Sequence, residues 1–146
     1  MASRILIMRH GEAETNADSD EARHLTETGS RVVISQCRHL SGFEPDKIIS
    51  SPFVRARETA DIVAGDIRHR GEMIIDDAYV PGADVAQAGS LLMADDSDTV
   101  LLVSHMPLVS RLVQYLAHQA FGFDPAQICC LSKSSDQGEF SLEWVA

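Results

Sequence analysis

A short apolar run near the start of the chain, residues 5–8, stops abruptly at Arg9-His10-Gly11. The run has no alternation of polar and apolar residues, which is typical of a strand buried on both faces in a parallel sheet covered by helices. Such sheets bind ligands just beyond the carboxyl ends of their strands. Because Gly11 allows a tight turn and a close approach of the main chain to a ligand, we expect Arg9 and His10 to face a substrate. The feature indicates an enzyme.

The pattern of a buried strand followed by a capped helix recurs along the chain. Further strands are predicted at residues 46–50, 73–75, 99–103, 128–131 and 140–145. Helices are predicted from Ser51-Pro52 to about residue 64, after the caps Thr26 and Asp84, and over residues 108–116. In the first of these, Ser51 is predicted to be the N-cap and Pro52 the first helical residue. The polar stretch 134–138 predicts a hairpin, so we expect a mostly parallel sheet with an antiparallel edge.

Composition and charge exclude several classes of protein. The 146-residue chain carries a formal net charge of −10, so nucleic acid is not an expected partner, since binding to a phosphate backbone requires a basic face. No internal repeat or linker is found, and we expect a single domain over residues 1–146. Without a long apolar run or a signal peptide, the expected location is cytoplasmic and no membrane is involved. The three cysteines are expected to be reduced.

Three predicted strand ends carry side chains suited to a phosphoryl group. The first strand ends at Arg9 and His10, the second leads to Arg55 near the start of a helix, and the third leads to His105. Right-handed crossovers bring the carboxyl ends of parallel strands to one edge of the sheet. Arginines bind phosphate through forked hydrogen bonds, and helix N-termini also favour anions. Each residue alone also fits a structural role, such as a capping histidine, but together they favour a pocket for a dianionic phosphoryl group.

These residue types favour nucleophilic chemistry without a metal or another cofactor. The chain lacks a GxxxxGK[ST] loop, a GxSxG elbow and an HExxH motif, so nucleotide hydrolysis, serine esterase and zinc protease chemistry are not favoured. A neutral imidazole can attack phosphorus directly, so we predict that His10 is the nucleophile. Arg9, Arg55 and His105 would stabilise the transferring group. A metal hydrolase using His10, His24, His105 and nearby carboxylates is an alternative, although the ligand spacing is not diagnostic.

The same residues resemble a known family. The segments RHGE at 9–12, LTETG at 25–29, SPFVRARETA at 51–60 and VSHMPL at 103–108 look like the motifs of the histidine phosphatase, or phosphoglycerate-mutase-like, superfamily. They follow one another in the family's order over nearly the whole chain. The short length and the Ser-Pro-Phe start of the third segment are most similar to the phosphohistidine phosphatases of the SixA type.

The resemblance implies a fold and a set of roles. The implied fold is a three-layer α/β/α sandwich, and the implied reaction is hydrolysis through a phosphorylated His10. The implied phosphate-facing residues are Arg9, Arg23, Arg55, His105 and Asn16. A phosphorylated protein, such as a histidine phosphotransfer domain, is the implied substrate, because so short a chain has little material for a lid over a small molecule. We expect the protein to be a monomer.

Two alternatives remain beside this interpretation, and one role is open. A small-molecule phosphomonoesterase on the same fold is the first alternative, and a phosphate-binding module without catalysis is the second, although the intact His10 argues against it. The general acid is open, because the stretch 76–84 lacks the glutamate that larger relatives place there. Asp76, Asp77 and Asp84 are candidates, or no acid is used, since the weak N–P bond of phosphohistidine needs less help than a phosphate ester.

Overall fold

In the described part of the chain, six strands and four helices form the α/β fold expected from the sequence. The computed structural model describes residues 1–134 and 138–146. The strands are β1 (Arg4–Arg9), β2 (Lys47–Ser50), β3 (Glu72–Ile75), β4 (Thr99–Ser104), β5 (Ile128–Lys133) and β6 (Phe140–Val145). The helices are α1 (Glu27–Gln36), α2 (Val54–Asp66), α3 (Val85–Ala94) and α4 (Leu108–Ala117). In these two ranges no helix has the length and apolar character needed to cross a membrane.

All six strands join one sheet in the order β3-β2-β4-β1-β5-β6. The strands β1 to β4 run parallel, whereas β5 pairs antiparallel with β1, and β6 pairs antiparallel with β5. The expected parallel body with an antiparallel edge is therefore confirmed. The predicted turn between β5 and β6 falls largely on residues 135–137, which lie outside the described residues.

The first strand shows why its sequence is uniformly apolar. Ile5 and Ile7 belong to one core cluster, with residues of α3 and α4, whereas Leu6 and Met8 belong to a second cluster, with residues of α1 and α2. All four side chains are 0% exposed, and burying a side chain of this size stabilises the fold by about 1.5–3 kcal/mol. Helices thus cover both faces of the sheet, which confirms the three-layer α/β/α sandwich.

Two predicted helix caps are present in the structure. The Thr26 hydroxyl accepts a hydrogen bond from the Gly29 amide at 2.9 Å, and the Asp84 carboxylate accepts one from the Ala86 amide at 2.9 Å. Both side chains satisfy amides that have no partner within their own helix. The helix capped by Thr26 continues past its last residue as a 3₁₀ turn over Cys37–Leu40.

The predicted start of α2 is wrong. The helix begins at Val54 with Phe53 as its N-cap, so Ser51 is not the cap and Pro52 is not the first helical residue. The Ser51 hydroxyl does accept a hydrogen bond from the Phe53 amide at 3.3 Å, but it also lies 2.7 Å from Nε2 of His105. The hydroxyl therefore links the end of β2 to the end of β4 instead of capping α2.

The three cysteines are buried free thiols, as the sequence predicted. Burial raises the pKa of Cys37 and Cys130 to about 11 and the pKa of Cys129 to about 12. At neutral pH all three are protonated and pack as small apolar side chains.

Candidate active site

The carboxyl ends of β1, β2 and β4 meet at one edge of the sheet. In the parallel pairing of β1 with β4, Arg9 lies opposite Ser104, so His10 and His105 are the next residues on neighbouring strands. The centroids of the two imidazole rings are 5.0 Å apart. Arg55 enters the same region as the second residue of α2, the helix that follows β2. The structure therefore brings together both histidines and the arginine that the sequence placed at three separate strand ends.

His10 is buried and its two ring nitrogens have different partners. Nδ1 lies 2.7 Å from the main-chain oxygen of Gly11, which can only accept, so Nδ1 carries the proton. Nε2 then has a free lone pair, which accepts a hydrogen bond from Nε of Arg55 at 3.2 Å. Burial lowers the pKa of His10 to about 4, and the positive charges of Arg55 and Arg9 favour the neutral form further. At neutral pH the ring is uncharged.

Arg55 is held by a residue that the sequence analysis missed. Its Nη1 donates to the main-chain oxygen of Asp20 at 2.7 Å, and its Nη2 donates to the Asp20 carboxylate at 3.3 Å. The other carboxylate oxygen of Asp20 accepts from Nη1 of Arg23 at 2.9 Å. The hydrogen bond from Arg23 lowers the pKa of Asp20, and the charge of Arg55 lowers it further. Asp20 therefore links the two arginines as a carboxylate. Its position three residues before Arg23 was the available signal.

Three further residues were predicted to face phosphate: Arg9, Arg23 and Asn16. Hydrogen bonds to the main chain hold Arg9 and Arg23, whereas Asn16 is exposed. Arg9 donates from Nη1 to the main-chain oxygen of Phe123 at 2.7 Å. Arg23 donates from Nε to the main-chain oxygen of Glu14 at 2.6 Å. Its separate hydrogen bond to Asp20 links it to Arg55. Asn16 lies in the exposed segment 15–21, and its role at the site stays a prediction.

His105 is buried to 1% exposure and lies between two side chains. Its Nε2 is 2.7 Å from the Ser51 hydroxyl, and the Phe53 ring meets it edge-on at a centroid distance of 5.0 Å. Burial lowers the pKa of His105 to about 3, and the neighbouring His10 and Arg55 contribute in the same direction. Within the described residues, the buried Nδ1 atom has no hydrogen-bond partner.

Thr59 ties the loop after β1 to the helix that carries Arg55. Its hydroxyl accepts from the Gly11 amide at 3.1 Å and donates to the main-chain oxygen of Arg55 at 2.8 Å. The side chain is 0% exposed, so both hydrogen bonds are shielded from water. Thr59 belongs to the SPFVRARETA segment, but no role was predicted for it, although it lies one helical turn after Arg55.

The loop after β1 also packs against the start of α1. The Thr26 hydroxyl donates to the Glu12 carboxylate at 2.8 Å, and the Thr26 amide donates to the Glu12 main-chain oxygen at 3.0 Å. A Cβ atom on Gly29 would lie 2.2 Å from that same oxygen, so only glycine permits this approach. The LTETG segment therefore fixes the position of the loop that follows His10.

The three aspartates predicted as candidate acids have other contacts or are exposed. The Asp76 carboxylate accepts from the Ala78 amide at 2.9 Å and caps a short 3₁₀ helix, and Asp84 caps α3. Asp77 is exposed in that short helix. The roles of all three as acids stay predictions. In residues 1–134 and 138–146, no group of three or more His, Cys, Asp or Glu side chains could hold a metal ion.

These features define a class of α/β protein with a cluster of arginines and neutral histidines beyond the carboxyl ends of its parallel strands. The model of the histidine phosphatase superfamily (branch 1) matches residues 5–78, which is half of the sequence. The chain belongs to the histidine phosphatase superfamily and is a hydrolase.

Three of the similar proteins, two relatives and one solved structure, are named for SixA. The chain is 37% identical over 152 residues to a phosphohistidine phosphatase SixA homolog of Haemophilus influenzae, covering 94% of this chain and 93% of that protein. It is 32% identical over 117 residues to the phosphohistidine phosphatase SixA of Escherichia coli, covering 77% and 73%. A solved structure of the protein histidine phosphatase SixA with tungstate matches with a TM-score of 0.90 and 28% identity, covering 97% of this chain and 95% of that one.

Proposed function

We propose that this protein hydrolyses phosphohistidine on a partner protein of a phosphorelay or phosphotransfer system, through a covalent phospho-His10 intermediate. The observation that carries the proposal is the hydrogen bonding of His10. Because Nδ1 donates to the Gly11 main-chain oxygen, the lone pair is on Nε2, the atom that attacks phosphorus. With its pKa lowered to about 4, the ring does not need to lose a proton before it attacks at neutral pH.

The surrounding cations support the binding of a phosphoryl group. Arg9, Arg23 and Arg55 lie in this region, and Asp20 forms hydrogen bonds to two of them. Arg55 gives up its hydrogen bond to Nε2 of His10 as phosphorus approaches that atom, and its N–H groups then bind the phosphoryl oxygens. A cation clamp set in advance stabilises the charge of the transition state. The tungstate in the SixA structure is an oxyanion of the same shape as phosphate.

The reaction consists of two displacements at phosphorus. In the first, Nε2 of His10 forms a bond to phosphorus while the bond from phosphorus to the substrate imidazole breaks. A phosphohistidine that carries a proton on its other ring nitrogen leaves as neutral imidazole and needs no proton from the enzyme. In the second, water attacks phospho-His10, releases inorganic phosphate and restores His10. Because these steps need no proton from a carboxylic acid, they are consistent with Asp76 and Asp84, whose carboxylates serve as helix caps.

An open entrance supports a protein substrate over a small molecule. The segment 15–21 next to Arg23 is exposed, and a depression of about 390 Å³ lies there between Thr15 and Arg23. A phosphohistidine that protrudes from a folded domain requires such an entrance. The two relatives named as phosphohistidine phosphatases match over most of their length, which favours the same substrate class. A cytoplasmic location and a monomeric state are part of this proposal.

The proposal is tested by trapping the intermediate. A phosphotransfer domain carrying radiolabelled phosphohistidine is mixed with the wild type, with His10→Ala and with the control His118→Asn, which alters an exposed histidine. We expect an acid-labile phosphate on the wild type and the control, and kcat for His10→Ala reduced by about a thousandfold or more. Turnover of His10→Ala at the wild-type rate would refute the mechanism. Faster turnover of sugar phosphates than of the phosphorylated domain would favour the small-molecule phosphatase.

A further inference from the structure

Among the described residues, the hydroxyl of Ser51 is the only hydrogen-bond partner of the His105 ring. Ser51 is 0% exposed, and its Oγ atom lies 2.7 Å from Nε2 of His105. The Phe53 amide lies 3.3 Å from the same oxygen and can only donate to it. The remaining question is which of the two partners, the hydroxyl or the imidazole, supplies the hydrogen between them.

The surroundings decide between the two arrangements. If Nε2 of His105 donates, the Ser51 oxygen accepts twice, and its own hydrogen is buried without an acceptor among the described residues. An unsatisfied buried donor costs about 1–3 kcal/mol. If Ser51 donates to Nε2, its oxygen still accepts from the Phe53 amide and no hydroxyl hydrogen is left over. The second arrangement satisfies both groups of Ser51 and puts the proton of neutral His105 on Nδ1. Because Nδ1 has no partner among the described residues in either arrangement, the second leaves one buried polar group unpaired and the first leaves two.

With Ser51 donating to Nε2, the proton of the His105 ring is on its other nitrogen, Nδ1. Nδ1 of His105 is buried and has no partner in the part of the chain that the structure describes. With a proton it is an unused donor in a ring whose centroid is 5.0 Å from that of His10. A phosphoryl oxygen is an acceptor, so the ring can hydrogen-bond to it only through a protonated nitrogen. A neutral histidine with the opposite tautomer would present a lone pair to the oxygen instead.

We propose that Ser51 is a positioning residue that donates to Nε2 of His105 and keeps the proton on Nδ1, where it is available to a phosphoryl oxygen. The inference rests on the proposed function for the identity of the ligand, but the tautomer exists in the protein without substrate. Ser51 does not itself touch the reacting atoms. It acts by determining whether His105 donates or accepts.

The test begins with the tautomer. Long-range ¹H–¹⁵N spectra of ¹⁵N-histidine-labelled wild type distinguish protonation of Nδ1 from protonation of Nε2, and we expect Nδ1 in His105. Ser51→Ala should show the Nε2 tautomer or a mixture. A wild-type spectrum with the proton on Nε2 overturns the inference whether or not any variant folds. It would leave the proposed function untouched, because that function is judged on His10→Ala.

Kinetics with matched variants complete the test. Ser104→Ala is the control, because Ser104 is also 0% exposed and its hydroxyl also makes a 2.7 Å hydrogen bond, but to the main-chain oxygen of Tyr79. We expect Ser51→Ala to reduce kcat/KM about tenfold relative to Ser104→Ala, in line with one lost transition-state hydrogen bond. Ser51→Thr, which keeps a hydroxyl, should restore activity to within about threefold of the wild type. Equal kinetics for Ser51→Ala and Ser104→Ala would overturn the inference.

Discussion

Arginine and histidine side chains lie at both ends of the parallel strands, and the two ends differ in what surrounds these side chains. The carboxyl edge is the end where the strands finish, at His10 and His105, and the amino edge is the end where they begin. At the carboxyl edge, His10 and Arg55 are 7% and 4% exposed and bond to each other. At the amino edge, residues 43–46 and 67–71 line a groove of about 730 Å³ that includes Arg68, His69 and Arg70. This groove therefore lies at the opposite end of the parallel strands from His10 and Arg55.

The difference shows that burial and mutual hydrogen bonds, more than the presence of cations, distinguish the site. Arg68 and Arg70 are exposed, and the same groove contains the carboxylates of Glu44 and Asp46. Exposed charges are screened by water and salt, whereas charges held in a dry pocket act strongly on one another. That stronger interaction contributes to the neutrality of His10 at the carboxyl edge. Four variants or conditions test this comparison.

The largest effect is expected from Arg55→Lys. A lysine keeps the charge but cannot donate to His10 and twice to Asp20 in the planar geometry of a guanidinium. We expect kcat/KM with a phosphohistidine substrate to fall about 10²- to 10³-fold. The control is Arg57→Lys, because Arg57 lies on the same helix and is exposed. If both variants keep activity within about twofold of the wild type, then charge alone is enough at the carboxyl edge.

A smaller effect is expected from Thr59→Val, because valine has nearly the same shape as threonine but no hydroxyl. The change leaves the buried Gly11 amide without its acceptor and removes the hydroxyl's hydrogen bond to the main-chain oxygen of Arg55. We expect a loss of about 1–3 kcal/mol in the free energy of unfolding and about a tenfold fall in kcat/KM, measured by urea denaturation and steady-state kinetics. Thr59→Ser keeps the hydroxyl and should recover most of both. An active, fully stable Thr59→Val would show that the loop after β1 and α2 keep their positions without this link.

Much of the site could be predicted because it lies at strand ends. His10, Arg55 and His105 each follow an apolar run, and parallel topology alone brings such positions together. Asp20 and Thr59 were missed because their contacts depend on how one loop packs on another element, which no local pattern encodes. Ser51 was assigned to the helix that follows it, since a serine before proline looks like a cap. Its actual partner is 54 residues away in the chain.

The pH dependence of stability is the third test. The pKa of His10 is lowered to about 4 and that of His105 to about 3, below the ordinary value of about 6.5 in an unfolded chain. As pH falls through about 6.5, the unfolded state takes up protons that the folded state does not bind, so the free energy of unfolding decreases. The loss continues down to about pH 4 for His10 and about pH 3 for His105, and it is absent above about pH 7.5.

One exposed histidine opposes this trend and needs a control. Glu58 bonds to His24 and raises its pKa, so His24 contributes stability that is present below about pH 6.5 and lost as pH rises through its folded-state pKa. Urea denaturation at several pH values between 7.5 and 5 should therefore use a His24→Gln background. There, His105→Gln should reduce the slope of stability against pH. An unchanged slope would mean that His105 is not held neutral by burial.

The smallest effect is expected from the double variant Arg68→Gln/Arg70→Gln at the amino edge. Both side chains are exposed, and we expect a change of at most about 0.5 kcal/mol in stability and less than about twofold in turnover of an aryl phosphate. Turnover of the phosphorylated protein should be equally unaffected, because the groove lies at the end of the sheet opposite to His10. If the variant slowed turnover of only the protein substrate, the amino edge would be a docking surface for an acidic partner. The substrate protein would then bind at the amino edge and react at the carboxyl edge.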